Sequence, residues 1–240
     1  MELYYTDKKN IFSTYLRITG TEAHHITRVM RHKQGDMLYV TDGEGNEFQT
    51  MLKSFENKSV DASIINRTRK ARETKTNVTL AQSIIKGNHM DFIIEKATEL
   101  GVQEIIPVIT ERTIARVSVN KIDRYQKLIL AAMKSSTRTR LPYITKPVSF
   151  EKLLETTASY DLALLAWEDE KHNRLSNVLS NDFLNKVLLI IGPEGGFTEK
   201  EVTKAKAYGV KCFTMGPRRL RAETAAVSAL SLLLYELKEM

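Results

Sequence analysis

Two short stretches hold residue types that suit chemistry as well as folding. The first is "IIGPEGGFTEKEV", Ile190 to Val202, where an apolar run ends in Gly192-Pro193-Glu194-Gly195-Gly196 and a charged, helix-like segment follows. Glycine lets a ligand approach the backbone closely and permits positive φ. The loop lacks the Lys-Ser/Thr ending of a P-loop, and Pro193 and Glu194 break the spacing of a dinucleotide fingerprint. It therefore serves another ligand, or only a tight turn before a cap at Thr198. The second is "MGPRRLRAETAA", Met215 to Ala226, which sets Arg221 and Glu223 at the start of a helix. A cation there can stabilise developing negative charge, and a carboxylate can take a proton. The alternative is a surface ion pair, with the carboxylate favoured by the helix dipole.

Both loops follow strand-like runs, and in an open α/β sheet ligands gather outside the carboxyl ends of the strands. The elements that deliver them begin near Asn77. "VTLAQSI" predicts a strand and "DFIIEKATELG" an amphipathic helix stopped at Gly101. "EIIPVI" predicts the next strand, "KIDRYQKLILAAMKSS" a helix that Asn120 can cap, and "FEKLLETT" another helix. "DLALLAW" and "KVLLIIG" are buried-strand runs. "TEKEVTKAKAYG" predicts a helix with a Thr198/Glu201 capping box and a Gly209 stop. "KCFTMG" is a strand, and "TAAVSALSLLLYELK" closes with a helix whose Val227, Leu230, Leu233, Leu234 and Leu237 exceed one narrow apolar stripe. Alternating strands and helices predict a mostly parallel sheet covered on both faces.

Up to about Ile65 the rhythm differs. "DMLYVTDGEGNEFQTML" predicts a hairpin turning through Asp42-Gly43-Glu44-Gly45-Asn46, and "SVDASII" a further strand. "TEAHHITRVMRHKQGD" predicts a short helix from Thr21 with Ile26, Val29 and Met30 on one face. A small β-barrel with one helix follows from this, and "NRTRKARETKT" (Asn66 to Thr76) reads as the linker to the second part.

The 240 residues carry 36 Lys plus Arg against 29 acidic residues, a net charge of +7 that points toward a polyanionic partner. The arginines cluster as Arg28 and Arg31; Arg67, Arg69 and Arg72; Arg138 and Arg140; and Arg218, Arg219 and Arg221. Each patch alone reads as solvated surface. Together, beside turns, they point to phosphate, whose geometry the guanidinium fork matches. His24 and His25 beside Arg28 and Arg31 suit RNA backbone, while His89 and His172 read as structural or surface residues. A single cysteine, Cys212, gives neither a disulfide framework nor a cysteine metal cluster, so no metal site is expected and a reducing cytoplasm fits. The N-terminus does not read as a secretion signal, and no apolar run is long enough to span a bilayer.

"GPEGGFTEKEV" and "MGPRRLRAETAA" resemble the C-terminal signatures of the RsmE family of bacterial 16S rRNA methyltransferases. The resemblance extends in order through "HHITRVMRHKQGD", "IIKGNHMDFIIEKATELGV", "ERTIAR" and "TRTRLP", and so spans nearly the whole chain. It departs at Lys134-Ser135-Ser136, where family members often carry Glu-Gln before a Ser or Cys. The resemblance implies an N-terminal PUA-like RNA-binding β-barrel (residues 1–72). After it comes an α/β SPOUT domain (residues 73–240) with a C-terminal trefoil knot. It implies a homodimer, S-adenosylmethionine as methyl donor, and N3 methylation of a uridine in 16S rRNA of the small ribosomal subunit. By position it assigns the donor to Leu165, Gly192, Glu194, Gly195, Gly196, Met215, Gly216, Leu220 and Thr224. RNA phosphates fall to Arg28, Arg31, Arg67, Arg69, Arg138 and Arg140. Uridine N3 must lose a proton, which makes Arg221 the candidate cation and Glu223 the candidate base or orienter, with Glu194 the alternative base. A sulfonium disfavours a close cation, so Arg221 is expected at the base and away from the sulfur. The rival readings are a SPOUT enzyme for tRNA or 23S rRNA, and an RNA-binding assembly factor without catalysis.

Overall fold

The computed structural model describes every residue except 1, 57, 70–71, 115–118 and 180–183, and the backbone alone at 119–120. The chain divides into two compact units, Met1–Glu73 with Leu130–Leu141, and Thr74–Ile129 with Pro142–Met240.

The first unit is built on β1 (Leu3–Tyr5), β2 (Tyr15–Thr19), α1 (Gly20–His24), β3 (Met37–Thr41), β4 (Asn46–Glu56) and β5 (Ser59–Arg69). Its sheet runs β1-β3-β4-β5-β2. The hairpin register is Thr41↔Glu47 to Met37↔Met51. No ladder joins the two edge strands among the described residues, but the Thr6 hydroxyl donates to the Arg17 carbonyl at 2.6 Å. Tyr4 of β1, Leu16 and Ile18 of β2, and Phe48, Leu52 and Val60 fill one core. Edges that share a core and a cross-bond close the sheet into a barrel.

Three expectations change in this unit. The segment from Asn66 to Arg69 is not linker but the end of β5, paired to β4 as far as Arg69↔Asn46. Lys70 lies outside the described residues. The helix expected from Thr21 passes from α into one π turn, His25–Val29, and the chain turns away after its cap Met30 through Arg31, with φ of 56°. The wider turn breaks the 3.6-residue period, so Ile26 is buried while Val29 and Met30 are exposed. Finally, 130–141 was expected with the second domain and instead packs in the first unit.

One buried carboxylate gathers several bonds from that return segment. Glu73 accepts from Arg138 Nη2 at 2.8 Å and Nε at 3.2 Å, and from the Thr139 and Arg140 amides at 2.8 and 2.9 Å. Both side chains are nearly solvent-free, 3% and 4% exposed. Arg138 was expected to bind RNA phosphate; burial against Glu73 makes it a structural anchor instead.

The second unit contains β6 (Asn77–Ser83), α2 (His89–Glu99), β7 (Glu104–Ile109), α3 (Val119–Ser135, whose last turns belong to the first unit), β8 (Tyr143–Ile144), β9 (Val148–Ser149), α4 (Phe150–Leu154), β10 (Leu162–Ala166), α5 (Leu175–Val178), β11 (Lys186–Ile191), α6 (Glu199–Ala207), β12 (Lys211–Phe213) and α7 (Ala222–Glu236). The sheet order is β12-β10-β11-β6-β7-β8, with β9 also on β7, and every pairing is parallel. β6, β10 and β11 are buried almost throughout, as strands covered on both faces must be. Leu188, Ile190 and Leu165 pack with Phe150 of α4 and Val202 and Ala205 of α6 on one face, while α2 and α7 pack together and α7 meets β11. The cap expected of Asn120 lies on a side chain outside the described set.

Replacing Arg138 by Leu keeps apolar bulk but leaves the buried Glu73 carboxylate without its cation. Breaking a buried pair from one side costs about 3–5 kcal/mol. Urea unfolding of Arg138→Leu is expected to lose stability on that scale, and a loss below about 0.5 kcal/mol, the range of ordinary surface changes, removes Glu73–Arg138 as the anchor.

Candidate active site

The ladder register sets the site. Leu165 pairs with Ile190, Ala166 with Phe213, and Ile191 with Gln82. The carboxyl ends of β10, β11, β12 and β6 therefore finish at one level, and the loops at 167–168, 192–197 and 214–221 emerge side by side. They enclose a pocket of about 630 Å³, open mouth included.

Gly192, Glu194, Gly196, Met215, Gly216 and Leu220 line this pocket. Leu165 does not: it is fully buried in β10, and the next residues, Ala166, Trp167 and Glu168, form the wall. Gly195 faces away, its carbonyl accepting from Arg112 Nη1 at 2.6 Å. Thr224 is exposed on the first turn of α7, outside the pocket lining. Phe197, Arg218 and Arg219 also line the pocket and were not anticipated there. Arg219 Nε lies 3.3 Å from Glu168 Oε2, so a carboxylate partly offsets the nearby cation.

The glycine loop is held from several sides. Gly196 has φ of +68°, and a Cβ there would fall 2.7 Å from Glu168 Oε1, so a side chain meets both backbone strain and a pocket wall. Gln82 Nε2 donates to the Ser83 carbonyl at 2.9 Å and lies 3.4 Å from that of Gly192. Glu194 accepts from the Lys86 amide at 3.0 Å, which ties the loop to the segment after β6 and occupies one of its oxygens. The capping box forms as its spacing predicts. Glu201 Oε2 takes the Thr198 amide and Oε1 the Glu111 amide, each at 2.9 Å, so one buried carboxylate also fastens the loop after β7. Ala115 and Arg116, the end of "ERTIAR", lie outside the described residues.

Beside the pocket a second cleft is lined by His89, Arg221 and Glu223, and shares Glu194, Arg219, Leu220 and Ala222 with it. Arg221 is exposed, caps α7 by position, and makes no ion pair among the described residues. Glu223 is not paired with it: its Oε1 lies 3.3 Å from His89 Nδ1, with side-chain exposures of 18% and 53%. His89, read from sequence as structural or surface, is thus a cleft residue. Only the fold brings α2 and α7 together, so no local signal marked it.

Comparison with known proteins agrees with this architecture. A family model of an RNA methyltransferase domain matches residues 72–234, and one of an RNA methyltransferase PUA domain matches residues 18–65. The ribosomal RNA small subunit methyltransferase E of Bacillus subtilis is 34% identical over 229 residues, covering 91% of this chain and 89% of the relative. The chain belongs to the ribosomal RNA small subunit methyltransferase E family. A Synechocystis member is 32% identical over 225 residues, covering 93% of this chain and 74% of its own. The crystal structure of the Neisseria gonorrhoeae member bound to S-adenosylmethionine superposes with a TM-score of 0.89 at 28% identity, covering 98% of this chain and 97% of that one.

The departure from the family pattern at Lys134 has a local partner, since its ammonium pairs with Glu22, whose other oxygen accepts from the Tyr5 amide at 3.2 Å. Ser135 and Ser136 hydroxyls bond the Ala132 carbonyl one turn back. In the same unit Arg28, Arg31 and Arg69 are exposed. Arg67 is exposed but engaged, donating to Asn46 Oδ1 at 2.9 Å and lying over the Phe48 ring at 5.4 Å. Arg140 is exposed, with its amide on Glu73. Among the described residues no cluster of three or more His, Cys, Asp or Glu suits a metal, and no helix is long and apolar enough to cross a membrane. Burial pushes the Cys212 thiol up, away from the thiolate a reactive cysteine needs.

Glu201→Ala leaves the Thr198 and Glu111 amides without their acceptor. An unmet buried donor costs about 1–3 kcal/mol. The variant is expected to lose at least that much in urea unfolding and to exchange the Glu111 amide faster, and unchanged exchange there would separate the two loops.

Proposed function

We propose that this chain transfers a methyl group from S-adenosylmethionine to N3 of a uridine in 16S rRNA, in the cytoplasm. The observation that carries the reading is the shared wall between the glycine-bounded pocket and the cleft holding Arg221 and Glu223. Openings that adjoin along shared residues let a donor in one face an acceptor in the other, as direct transfer between them requires. The RNA methyltransferase domain, the small-subunit relatives and the donor-bound neighbour supply the reaction class. An assembly factor without catalysis would need neither the second cleft nor its charged lining.

The pocket suits the donor. Gly192 and Gly196 leave backbone open where a Cβ would meet the Phe197 ring at 3.0 Å or the Glu168 carboxylate. Trp167 Nε1 is buried without a partner beside that wall. Gly192, Gly196, Met215, Gly216 and Leu220 would hold the donor, with Ala166 to Glu168 replacing Leu165 at the strand end. When bound, S-adenosylmethionine supplies an electrophilic methyl group on a positively charged sulfur. Arg221 stabilises the negative charge that spreads onto the uracil oxygens as N3 loses its proton. Glu223, in the same cleft, sets up that proton's removal.

The rest of the assignment follows the family. Residues 1–72 form the RNA-binding PUA-like unit, with 130–141 built into it, and residues 73–240 the SPOUT domain. The lodging of β11 between β10 and β6 supports a C-terminal segment threaded as a trefoil knot. Leu232 and Tyr235 of α7 are large apolar side chains left exposed, which supports a homodimer through that helix. Arg28, Arg31, Arg67, Arg69 and Arg140 hold RNA phosphates.

Gly196→Val is expected to fold but to lose S-adenosylmethionine binding by calorimetry, and undiminished affinity removes this loop from the donor site. Methylation of small-subunit rRNA from a strain lacking the enzyme tests the function itself. Arg28→Ala with Arg31→Ala should flatten the salt dependence of RNA affinity, because fewer counterions are released. Arg221→Ala should instead leave affinities intact and slow single-turnover methylation roughly a hundred- to thousand-fold, the loss of about 2.7–4 kcal/mol typical for one such donor. A wild-type rate from Arg221→Ala makes it only an anchor.

A further inference from the structure

The cleft contains a histidine that the reading above leaves unused, beside Glu223. His89 opens α2 and Glu223 sits in the first turn of α7. Nδ1 of the imidazole lies 3.3 Å from Glu223 Oε1, both residues line the cleft with Arg221, and Nε2 makes no hydrogen bond or ion pair among the described residues. A carboxylate this near one ring nitrogen favours the proton there, which leaves the other nitrogen's lone pair outward. This is the orienter-and-base relation of a catalytic triad.

Resting on the methyltransferase reading, we infer that His89 is the general base for uridine N3 and that Glu223 is the positioning residue holding its tautomer. The N3 proton passes to His89 Nε2. The electron pair of the N3–H bond forms the new bond to the methyl carbon, and the carbon–sulfur bond breaks with its pair left on a neutral thioether. The imidazolium then returns its proton to solvent, which reaches the half-exposed ring. An imidazole suits this step better than a carboxylate, because general-base efficiency rises as the base's affinity for protons approaches the working pH. Glu194, the other carboxylate in the cleft, already accepts from the Lys86 amide. The charged groups that share the cleft with the ring are Glu223 from α7, Arg219 and Arg221 from the loop before it, and Glu194 from the loop after β11. Arg221 lies on the same cleft to meet the oxygens of the uracil that His89 deprotonates.

Two measurements test the pair. Long-range proton–nitrogen NMR of the protein without donor or RNA should find neutral His89 as the Nδ1–H tautomer, and Glu223→Ala should shift it to Nε2–H. Single-turnover methylation by the wild type should rise with pH and level off as the imidazole loses its proton. His89→Gln should remove that acid limb and slow the reaction roughly a hundred-fold or more, with calorimetric donor affinity unchanged. An Nε2–H tautomer in the wild type overturns the inference, as does a wild-type rate and pH profile from His89→Gln while the wild type is active. A wild type that does not methylate small-subunit rRNA overturns the functional reading, and the inference with it.

Discussion

The parallel ladder around β11 is the constraint on which the site depends. Leu165↔Ile190, Ile190↔Ala81 and Ala166↔Phe213 are fixed by backbone hydrogen bonds in a sheet buried on both faces. A slip of one residue would turn each strand's side chains to the opposite face and would carry Gly192 and Met215 out of alignment. The apolar packing of Leu188, Ile190 and Leu165 against α4 and α6 therefore also sets the level at which the loops emerge.

Carboxylates that accept from backbone amides recur as fasteners of the loops. Glu201 spans the α6 cap and the Glu111 loop, Glu194 takes the Lys86 amide, and in the first unit Glu73 takes two amides besides the Arg138 guanidinium. Such bonds to an ionised acceptor are stronger than neutral ones and leave little play. Mobile loops would have to be ordered on binding, at an entropic cost that preorganised ones avoid. Arg221 and His89 are placed differently, exposed at the cleft where a substrate can reach them.

Equal residue types took unequal roles for a reason that one dimension hides. Arg28 and Arg138 both stand beside turns in basic stretches, yet Arg28 is exposed while Arg138 is sealed against Glu73. The pairing joins residues far apart in the chain, so composition near Arg138 carries no trace of it. Val29 and Met30 were misplaced for a local reason, a π turn that rotates them outward, and turn width has no reliable residue code.

Periodicity and punctuation in the sequence determined most elements of this protein. Alternation marked the hairpin through Gly43 and Gly45, apolar runs marked β10 and β11, and Thr198 with Glu201 marked the cap of α6, because these signals act over a few neighbouring residues. Glycine spacing and the family resemblance pointed to both site loops. Tertiary structure alone decided that Leu165 is core while Glu168 is wall, that 130–141 returns to the first unit, and that His89 meets Glu223. Each of these is a contact between segments distant in sequence, set by how sheets and helices stack, and no local pattern encodes where two elements finally touch.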